Sequence, residues 1–298
     1  MEHRGQQFSD RKGGHEALKR MLDVDTSIRV PRKVLDNIKS VDPKIGGIDP
    51  QRLLDEFGIS ALQYGNSLSQ VERARFVDNT YYGLCHLADV MGVPRKWLGL
   101  AGPGGGVGIA FGARGSGGAV AHYEPGLNII NLTRYNGPGS LAHEWFHAFD
   151  ARIATQCGLK GQLVSELSDR AIASSGNKIP MLKPFRTLQK TITSRSTNFY
   201  SNARCISSQK GMRNYWHKKS ELLARAFEAF AQDKTDELSA KATDWLAFGT
   251  RDEDNSLRDK ELNPYPVGDE RTQFSKVFET QLSLIWWPSD PQYREDCS

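Results

Sequence analysis

Apolar residues recur at helical spacing in two segments near the start of the chain. The first segment runs from Gln51 to Phe57 and the second from Val71 to Met91. Residues three or four positions apart lie on one face of a helix, so this spacing predicts a helix over each segment. Pro94 ends or redirects the second helix, because a proline disfavours helical conformation in the residue before it.

Three short segments with the composition of strands follow, separated by turns rich in glycine and proline. They are Val107 to Phe111, Ala119 to Tyr123 and Leu127 to Leu132. Such close spacing predicts an antiparallel meander. Ser140 then stands where it can cap the next helix. From about 160 to Asp233 the patterns are mostly helical.

These patterns divide the chain into three parts. Residues 1–48 are polar and interrupted by glycine and proline, so we expect a loosely attached N-terminal extension. Residues 49–282 carry the predicted strands and helices and form the expected domain, and residues 283–298 form a polar C-terminal tail. The predicted fold class is α+β, with a small antiparallel sheet packed on a mostly helical body.

Composition narrows the class of protein. No run of about 18 apolar residues occurs, so a membrane span is not expected. The start of the chain lacks the apolar segment of a secretory signal, and we therefore expect a cytoplasmic protein. The four cysteines are widely spaced and form no Cys-x-x-Cys pair, which argues against a metal site made of thiolates.

Positive charge is concentrated in one part of the chain. Between Arg170 and Lys219 there are eleven basic residues and no acidic one, interleaved with five aromatic residues. Such a segment suits contact with nucleic acid or with an acidic protein partner. The alternative is a solvated cationic surface, and no motif of a nucleic-acid-binding fold accompanies the segment.

Residues 143–147 read His-Glu-Trp-Phe-His. On a helix, His147 lies about 40° around the axis from His143 and one turn above it, so both imidazoles can reach one ion. Glu144 lies at the rim of the same face, where it can take a proton from a water molecule at the ion. A water-facing polar stripe is the alternative, but this stripe is narrow and rich in histidine. The motif indicates a zinc site.

A catalytic zinc site normally has three protein ligands, so a third residue is needed. Asp150 shares the helix face and could bind the ion, although such a carboxylate more usually accepts a hydrogen bond from a ligand imidazole or a neighbouring amide. Glu221 and Glu228 lie on one face of a later helix, which Ser220 is expected to cap, and either can point at the ion. Glu221 and Arg225 alternatively form an exposed ion pair.

The motif at residues 143–147 is a signature of zinc hydrolases and predicts a metallopeptidase. Hydrolysis of a peptide bond also needs a donor for the negative charge that develops on the carbonyl oxygen. The candidates are Tyr215 and His217, just before Glu221, and His122 and Tyr123 on the preceding strand. The sequence does not rank these four residues, and each taken singly also fits an ordinary structural role.

Several stretches together resemble the large polyvalent protein-associated domain, type 1. They are Phe57 to Asn66, Ile109 to Gly115, Ala121 to Pro125, Ile130 to Thr133, Gly139 to Asp150 and Glu221 to Glu228, and the likeness covers roughly residues 51 to 282. Proteins of this family are found in bacteriophages and conjugative elements. The resemblance implies a zinc-peptidase-like activity serving counter-defence or host takeover. It also implies location in the host or recipient cytoplasm, or with the virion before delivery.

A weaker resemblance links the chain to gluzincin peptidases, whose third zinc ligand opens a Glu-x-x-Ala-x-x-Phe helix. On that match Glu221 joins His143 and His147 as a ligand of Zn²⁺, and Glu228 supports a ligand rather than binding the ion. The resemblance thus implies a zincin-like metallopeptidase that acts on a protein or peptide substrate. The rival hypothesis is a nucleic-acid-binding or defence-inhibitor protein with a structural zinc site. A third is a peptidase fold that serves only as a contact module.

Overall fold

The structure is a computed structural model. It describes residues 47–102, 105–113, 121–134, 137–174, 179–209, 213–238, 244–251 and 263–286. The predicted N-terminal extension, apart from its last two residues, and most of the predicted C-terminal tail lie outside these ranges. The proposed division of the chain into three parts therefore stays a prediction.

The described residues form helices around one small sheet, a mostly helical α+β arrangement. The helices are α1 (Gln51–Phe57), α2 (Gln70–Met91), α3 (Leu141–Gln156), α4 (Asp169–Ser174), α5 (Leu182–Ile192), α6 (Asn198–Ser208), α7 (Lys219–Leu238) and α8 (Gly268–Trp286). The strands are β1 (Leu62–Tyr64), β2 (Gly108–Phe111), β3 (Ala121–Glu124) and β4 (Ile129–Leu132). Short 3₁₀ turns occur at Arg95–Gly99, Val164–Glu166 and Arg213–Tyr215.

The first two predicted helices are confirmed to within one residue. Helix α2 begins at a capping box, in which the Ser69 hydroxyl accepts from the Glu72 N–H (3.3 Å) and the Glu72 carboxylate accepts from the Ser69 N–H (2.9 Å). It ends at Gly92, whose φ of 62° lies in the left-handed region that glycine adopts without strain. Local signals therefore set both ends of this helix.

The predicted antiparallel meander is wrong. The strand order is β1-β2-β4-β3, in which β2 pairs in parallel with both β1 and β4, and only β3 and β4 are antiparallel. Every residue of β2 and β4 is buried, whereas every residue of β3 is only partly buried. The two apolar strands therefore take the middle of the sheet, and the more polar β3 takes an edge. The sequence prediction also missed β1.

Helix α3 packs most extensively against α7 and also contacts β3 and β4. Aromatic rings fill the contact between the two helices: Phe227 of α7 lies 4.8 Å from Phe146 and 5.8 Å from Trp145, measured between ring centroids. The indole N–H of Trp145 donates to the carbonyl of Leu98 at 2.8 Å. This packing fixes the polar face of α3 opposite the start of α7.

Two predicted helix caps differ from the structure. Ser140 precedes α3, but its side chain makes no capping hydrogen bond. Helix α7 begins at Lys219, so Ser220 lies inside its first turn rather than before it, and the Ser220 N–H donates to the Glu166 carboxylate at 2.8 Å. An acidic side chain from a separate turn therefore serves the helix terminus that the local serine was predicted to cap.

Within the described parts of the chain, no helix combines the length and the apolar character needed to cross a membrane. Helix α8 ends at Trp286, where the described part of the chain also ends.

Candidate metal centre

The two histidines of α3 direct the same ring nitrogen toward one point. Nε2 of His143 and Nε2 of His147 lie 3.2 Å apart, and their rings are inclined at 74°. Tetrahedral zinc, with bonds to nitrogen of about 2.0–2.1 Å, holds two such nitrogens about 3.3–3.4 Å apart. The spacing of the two Nε2 atoms therefore suits one shared zinc ion.

Glu221 of α7 faces both of these nitrogens. Its Oε2 lies 3.5 Å from Nε2 of His143, and its Oε1 lies 3.5 Å from Nε2 of His147. The candidate ligand atoms of the three residues all lie within 4.8 Å of one another. Their side chains are at most 12% exposed. The two helices thus bring together a His₂Glu set, which is a known ligand set of catalytic zinc.

Glu228 contacts the other side of His143. Its Oε2 lies 3.2 Å from Nδ1 of His143 and accepts from the Tyr265 hydroxyl at 3.0 Å. A carboxylate at Nδ1 favours the tautomer that carries its proton there, which leaves Nε2 with a lone pair for a metal. Of the two glutamates that the sequence left open, Glu221 faces both imidazoles, and Glu228 supports one of them from behind.

The charges of the site favour a cation. Burial alone would lower the pKa of His143, but the nearby carboxylates of Glu221 and Glu228 outweigh burial and raise it to about 10. In Glu221, burial acts to raise the pKa, but His147 and His143 outweigh it and hold the pKa well below its usual value. The carboxylates thus stabilise positive charge between the two helices, and they would stabilise a divalent cation there for the same reason.

Several buried atoms of the site also lack a hydrogen-bond partner among the described residues. They are Oε2 of Glu144, Oε2 of Glu221 and Nδ1 of His147. Each buried polar atom left in this state costs about 1–3 kcal/mol unless a ligand or water binds it. The donor set and these atoms together fit a zinc ion.

Glu144 follows His143 and is buried, with 5% of its surface exposed. Burial raises its pKa; His143 and His147 act in the opposite direction, and the negative charge of Glu221 adds to the rise. A carboxylate with a raised pKa is a stronger base than an ordinary one. The position of Glu144 beside the histidines suits that role.

For Asp150 the sequence left three roles open: a ligand, a partner of a ligand imidazole, or an acceptor for a neighbouring amide. The structure shows the last of these. Asp150 accepts a hydrogen bond from the Ser165 N–H at 3.0 Å and another from the Ser165 hydroxyl. The next residue, Glu166, accepts from the N–H of Ser220, which precedes Glu221. Asp150 therefore anchors a turn that connects α3 to the start of α7, and it supports the third ligand indirectly.

The four candidate oxyanion donors fall in different surroundings. Tyr215 is 45% exposed, yet its pKa is raised, first by burial of its hydroxyl and then by the charge of Glu221 and a hydrogen bond to it. Tyr123 donates its hydroxyl to Asn128 at 2.8 Å. Because the Tyr123 hydroxyl is engaged there, the structure favours Tyr215 of these two tyrosines.

The two candidate histidines are separated as well. His122 lies 3.3 Å from the Glu124 carboxylate and close enough to Glu144 for its charge to act on the pKa of that residue. The ring of His217 packs edge-on against Tyr200, with centroids 6.4 Å apart. Among the described contacts of His217, none reaches the three candidate ligands.

The alternative that the sequence left open, an exposed ion pair between Glu221 and Arg225, is wrong. Arg225 is 2% exposed, and its Nε donates to the backbone carbonyl of Glu221 at 3.0 Å rather than to the carboxylate. Its other nitrogens donate to the carbonyls of Trp216 and Pro264. The carboxylate of Glu221 is thereby left to face the imidazoles.

Sequence reasoning missed Tyr265, which lies 37 residues from its partner Glu228. The segment Asn263-Pro-Tyr-Pro266 has no helical or strand period that could have drawn attention to it.

A cleft of about 590 Å³ between α7 and α8 contains none of the site residues. That cleft lies at the opposite end of α7, where Asp233, Asp236 and Glu237 pair with arginine and lysine.

The fold and the site define a mostly helical α+β protein with a candidate His₂Glu metal centre between two packed helices. Residues 207–285 match the model of the family described as large polyvalent protein-associated domain 1, so the resemblance found in the sequence is confirmed over this segment. The matched segment includes Glu221, Glu228 and Tyr265, whereas the histidines of α3 precede it. No curated protein and no solved structure matches the chain.

Proposed function

We propose that this protein is a zinc-dependent metallopeptidase with a zincin-like, gluzincin-type centre. His143, His147 and Glu221 would hold the zinc, and Glu144 would act as the general base. The observation that carries this proposal is the convergence of two Nε2 atoms and one carboxylate, separated by 3.2 to 3.5 Å, beside a buried glutamate.

Zinc, when bound, supplies a Lewis acid that polarises the substrate carbonyl and lowers the pKa of a water molecule toward about 7. Glu144 then has two tasks. It accepts the proton that the attacking water loses, and it delivers that proton to the nitrogen of the departing amine. The raised pKa of Glu144 suits the first task, because a carboxylate with a higher pKa is a stronger base.

Tyr215 is the donor that we assign to the developing negative charge on the carbonyl oxygen. Burial and the neighbouring carboxylates of Glu221 and Glu144 raise its pKa, which keeps the hydroxyl protonated and able to donate. Its partial exposure allows a substrate to approach it.

The sheet edge beside α3 supports a proposal for the substrate class. Strand β3 is an edge strand, and α3 packs against it. An extended peptide can pair with such an edge through main-chain hydrogen bonds, which requires no particular sequence. We therefore propose a protein or peptide substrate. The family resemblance points to a phage or mobile element, and counter-defence or host takeover is the process that we propose for it.

The substitution Glu144→Gln tests the proposal, because it removes the base and keeps the size of the side chain. Wild type and variant, both loaded with zinc, are compared on a random-sequence mixture of fluorescence-quenched peptides. We expect equal zinc content and cleavage at least about 100-fold slower in the variant.

The matched control is Glu237→Gln. Glu237 lies on α7, about 24 Å along the helix from Glu221, and its carboxylate pairs with Lys234. This variant should cleave like wild type. Equal cleavage by the Glu144 variant, or a zinc-loaded wild type that cleaves none of the peptides, would contradict the proposal.

A second candidate function is binding of nucleic acid or an acidic partner, with zinc in a structural role. Among the described residues of the Arg170 to Lys219 segment, seven basic side chains are exposed: Arg170, Lys183, Lys190, Arg195, Arg204, Lys218 and Lys219. Lys219 begins the turn of α7 that carries Glu221, and Lys218 directly precedes that turn. Binding to duplex DNA that weakens steeply with salt and persists in the Glu144→Gln variant would favour this function. Absence of binding at low salt would exclude nucleic acid.

A further inference from the structure

Tyr265 reaches the metal centre from outside the two helices that carry the candidate ligands. Tyr265 lies between Asn263 and the start of α8 and is 8% exposed. Its hydroxyl donates a hydrogen bond to Oε2 of Glu228 at 3.0 Å. We propose that Tyr265 is a positioning residue of the metal centre: it fixes the carboxylate of Glu228, which in turn fixes the ring of His143. This inference rests on the zinc site of the proposed function, but not on peptide hydrolysis.

One oxygen atom of Glu228 joins the other two groups. Oε2 lies 3.2 Å from Nδ1 of His143 and 3.0 Å from the hydroxyl of Tyr265, so both donors can use its two lone pairs. Glu228 is 3% exposed, which leaves little access for water to replace either donor. If the carboxylate rotated away, a buried imidazole N–H and a buried phenol would both lose their partner. The arrangement therefore holds Nε2 of His143 toward Glu221.

The backbone beside Tyr265 is tied to the same helix. Nη1 of Arg225 donates to the carbonyl of Pro264 at 2.9 Å, while its Nε donates to the carbonyl of Glu221 at 3.0 Å. The guanidinium also lies 5.0 Å from the centre of the Trp216 ring. Arg225 thus connects the third ligand to the segment that carries Tyr265. Two contacts therefore position Tyr265: Arg225 binds the backbone just before it, and Glu228 accepts a hydrogen bond from its hydroxyl.

The chain offers a closely matched control for Tyr265. The hydroxyl of Tyr81 donates to Oε2 of Glu56 at 2.7 Å, and Tyr81 is 4% exposed. Both tyrosines are therefore buried, and the hydroxyl of each donates a hydrogen bond to a glutamate. The Tyr81 pair, however, joins α1 and α2 and involves none of the candidate ligands. Tyr81→Phe removes the same group as Tyr265→Phe without touching the metal centre.

The test is the zinc dissociation constant, measured by competition with a chromophoric chelator. Glu228→Gln should weaken zinc binding about 10- to 100-fold, as loss of a partner behind a ligand does elsewhere. Tyr265→Phe should weaken it about three- to tenfold, the value of one hydrogen bond. In the Glu228→Gln background the same tyrosine change should add less than about twofold, because its effect passes through Glu228. Tyr81→Phe should leave the constant unchanged.

Three outcomes would overturn the inference: an unchanged constant in Tyr265→Phe, an equal loss in the Glu228→Gln background, or an equal loss in Tyr81→Phe. A shift of the visible absorption of the cobalt-loaded Tyr265 variant would support it, because general destabilisation does not alter ligand geometry. A wild type that binds no zinc would overturn both this inference and the proposed function. Zinc binding that depends on Tyr265 in a protein without peptidase activity would contradict hydrolysis alone.

Discussion

His143 is the residue at which the candidate metal centre is most constrained. One ring nitrogen faces His147 and Glu221, and the other faces Glu228. Because each nitrogen has a different neighbour, a flip of the ring would remove both interactions. The orientation of this side chain is therefore determined before any metal binds, which reduces the entropic cost of binding the ion.

Sequence spacing predicts those site residues that share one helix. His143, Glu144 and His147 follow from helical geometry, because five consecutive residues fix their own relative positions. Glu221 and Glu228 occupy one face of α7, but which of them meets the histidines depends on how α7 is rotated against α3. That rotation is set by packing between distant parts of the chain, so it cannot be predicted from the spacing of residues within one helix.

Asp150 gives a prediction at the same scale. Burial raises its pKa to about 6 from 3.8, in spite of two hydrogen bonds from Ser165 that act in the opposite direction. The folded state therefore holds the proton more tightly than the unfolded state does. The stability that this proton contributes is complete below pH 3.8 and is lost as the pH rises through about 6.

The variant Asp150→Asn cannot titrate at this position. With zinc removed, the unfolding free energy of wild type should fall relative to that of the variant by about 1–3 kcal/mol between pH 4 and pH 6. Urea unfolding at several pH values measures this difference. A difference that stays constant over the range would contradict the burial and charge assigned to Asp150.

At the scale of elements, the sequence predicts the first two helices closely but not the order of the strands in the sheet. Helix α2 carries a capping box at its start and a glycine at its end, and both signals lie next to the residues they control. Strand pairing has no such local signal. The placement of β4 between β2 and β3 follows from the burial of two apolar strands on both faces, which is a property of the assembled layers.

The contact between α3 and α7 holds the candidate ligands together, and Phe227 lies at its centre. It is fully buried and packs against Phe146, Trp145 and Phe278. Phe227→Ala should lower the free energy of unfolding by about 3–5 kcal/mol, because it removes a large buried ring and leaves a cavity. Zinc affinity should fall as well, since the two helices lose their fixed spacing.

Denaturant unfolding of the zinc-free Phe227 variant measures its loss of stability, and chelator competition measures its loss of zinc affinity. Val71→Ala is a suitable control, because Val71 is 79% exposed on α2 and its loss should change stability by less than about 0.5 kcal/mol. A loss below about 1 kcal/mol in the Phe227 variant would show that this contact does not hold the helices together.

At the scale of the whole molecule, the candidate centre joins two parts of the chain. The family match over residues 207–285 supplies α7 and the segment with Tyr265, and the preceding part supplies α3 with its histidines. The exposed lysines at the start of α7 lie beside this junction. An acidic or phosphate-bearing partner that bound there would therefore lie close to the proposed zinc site.

The zinc content of the purified protein tests the central claim most directly. After loading with Zn²⁺ and removal of the excess, wild type should retain one zinc ion per chain, and Glu221→Ala should retain much less under the same conditions because it lacks the third ligand. Wild type without zinc, or a Glu221 variant with a full complement of zinc, would contradict a centre built from His143, His147 and Glu221.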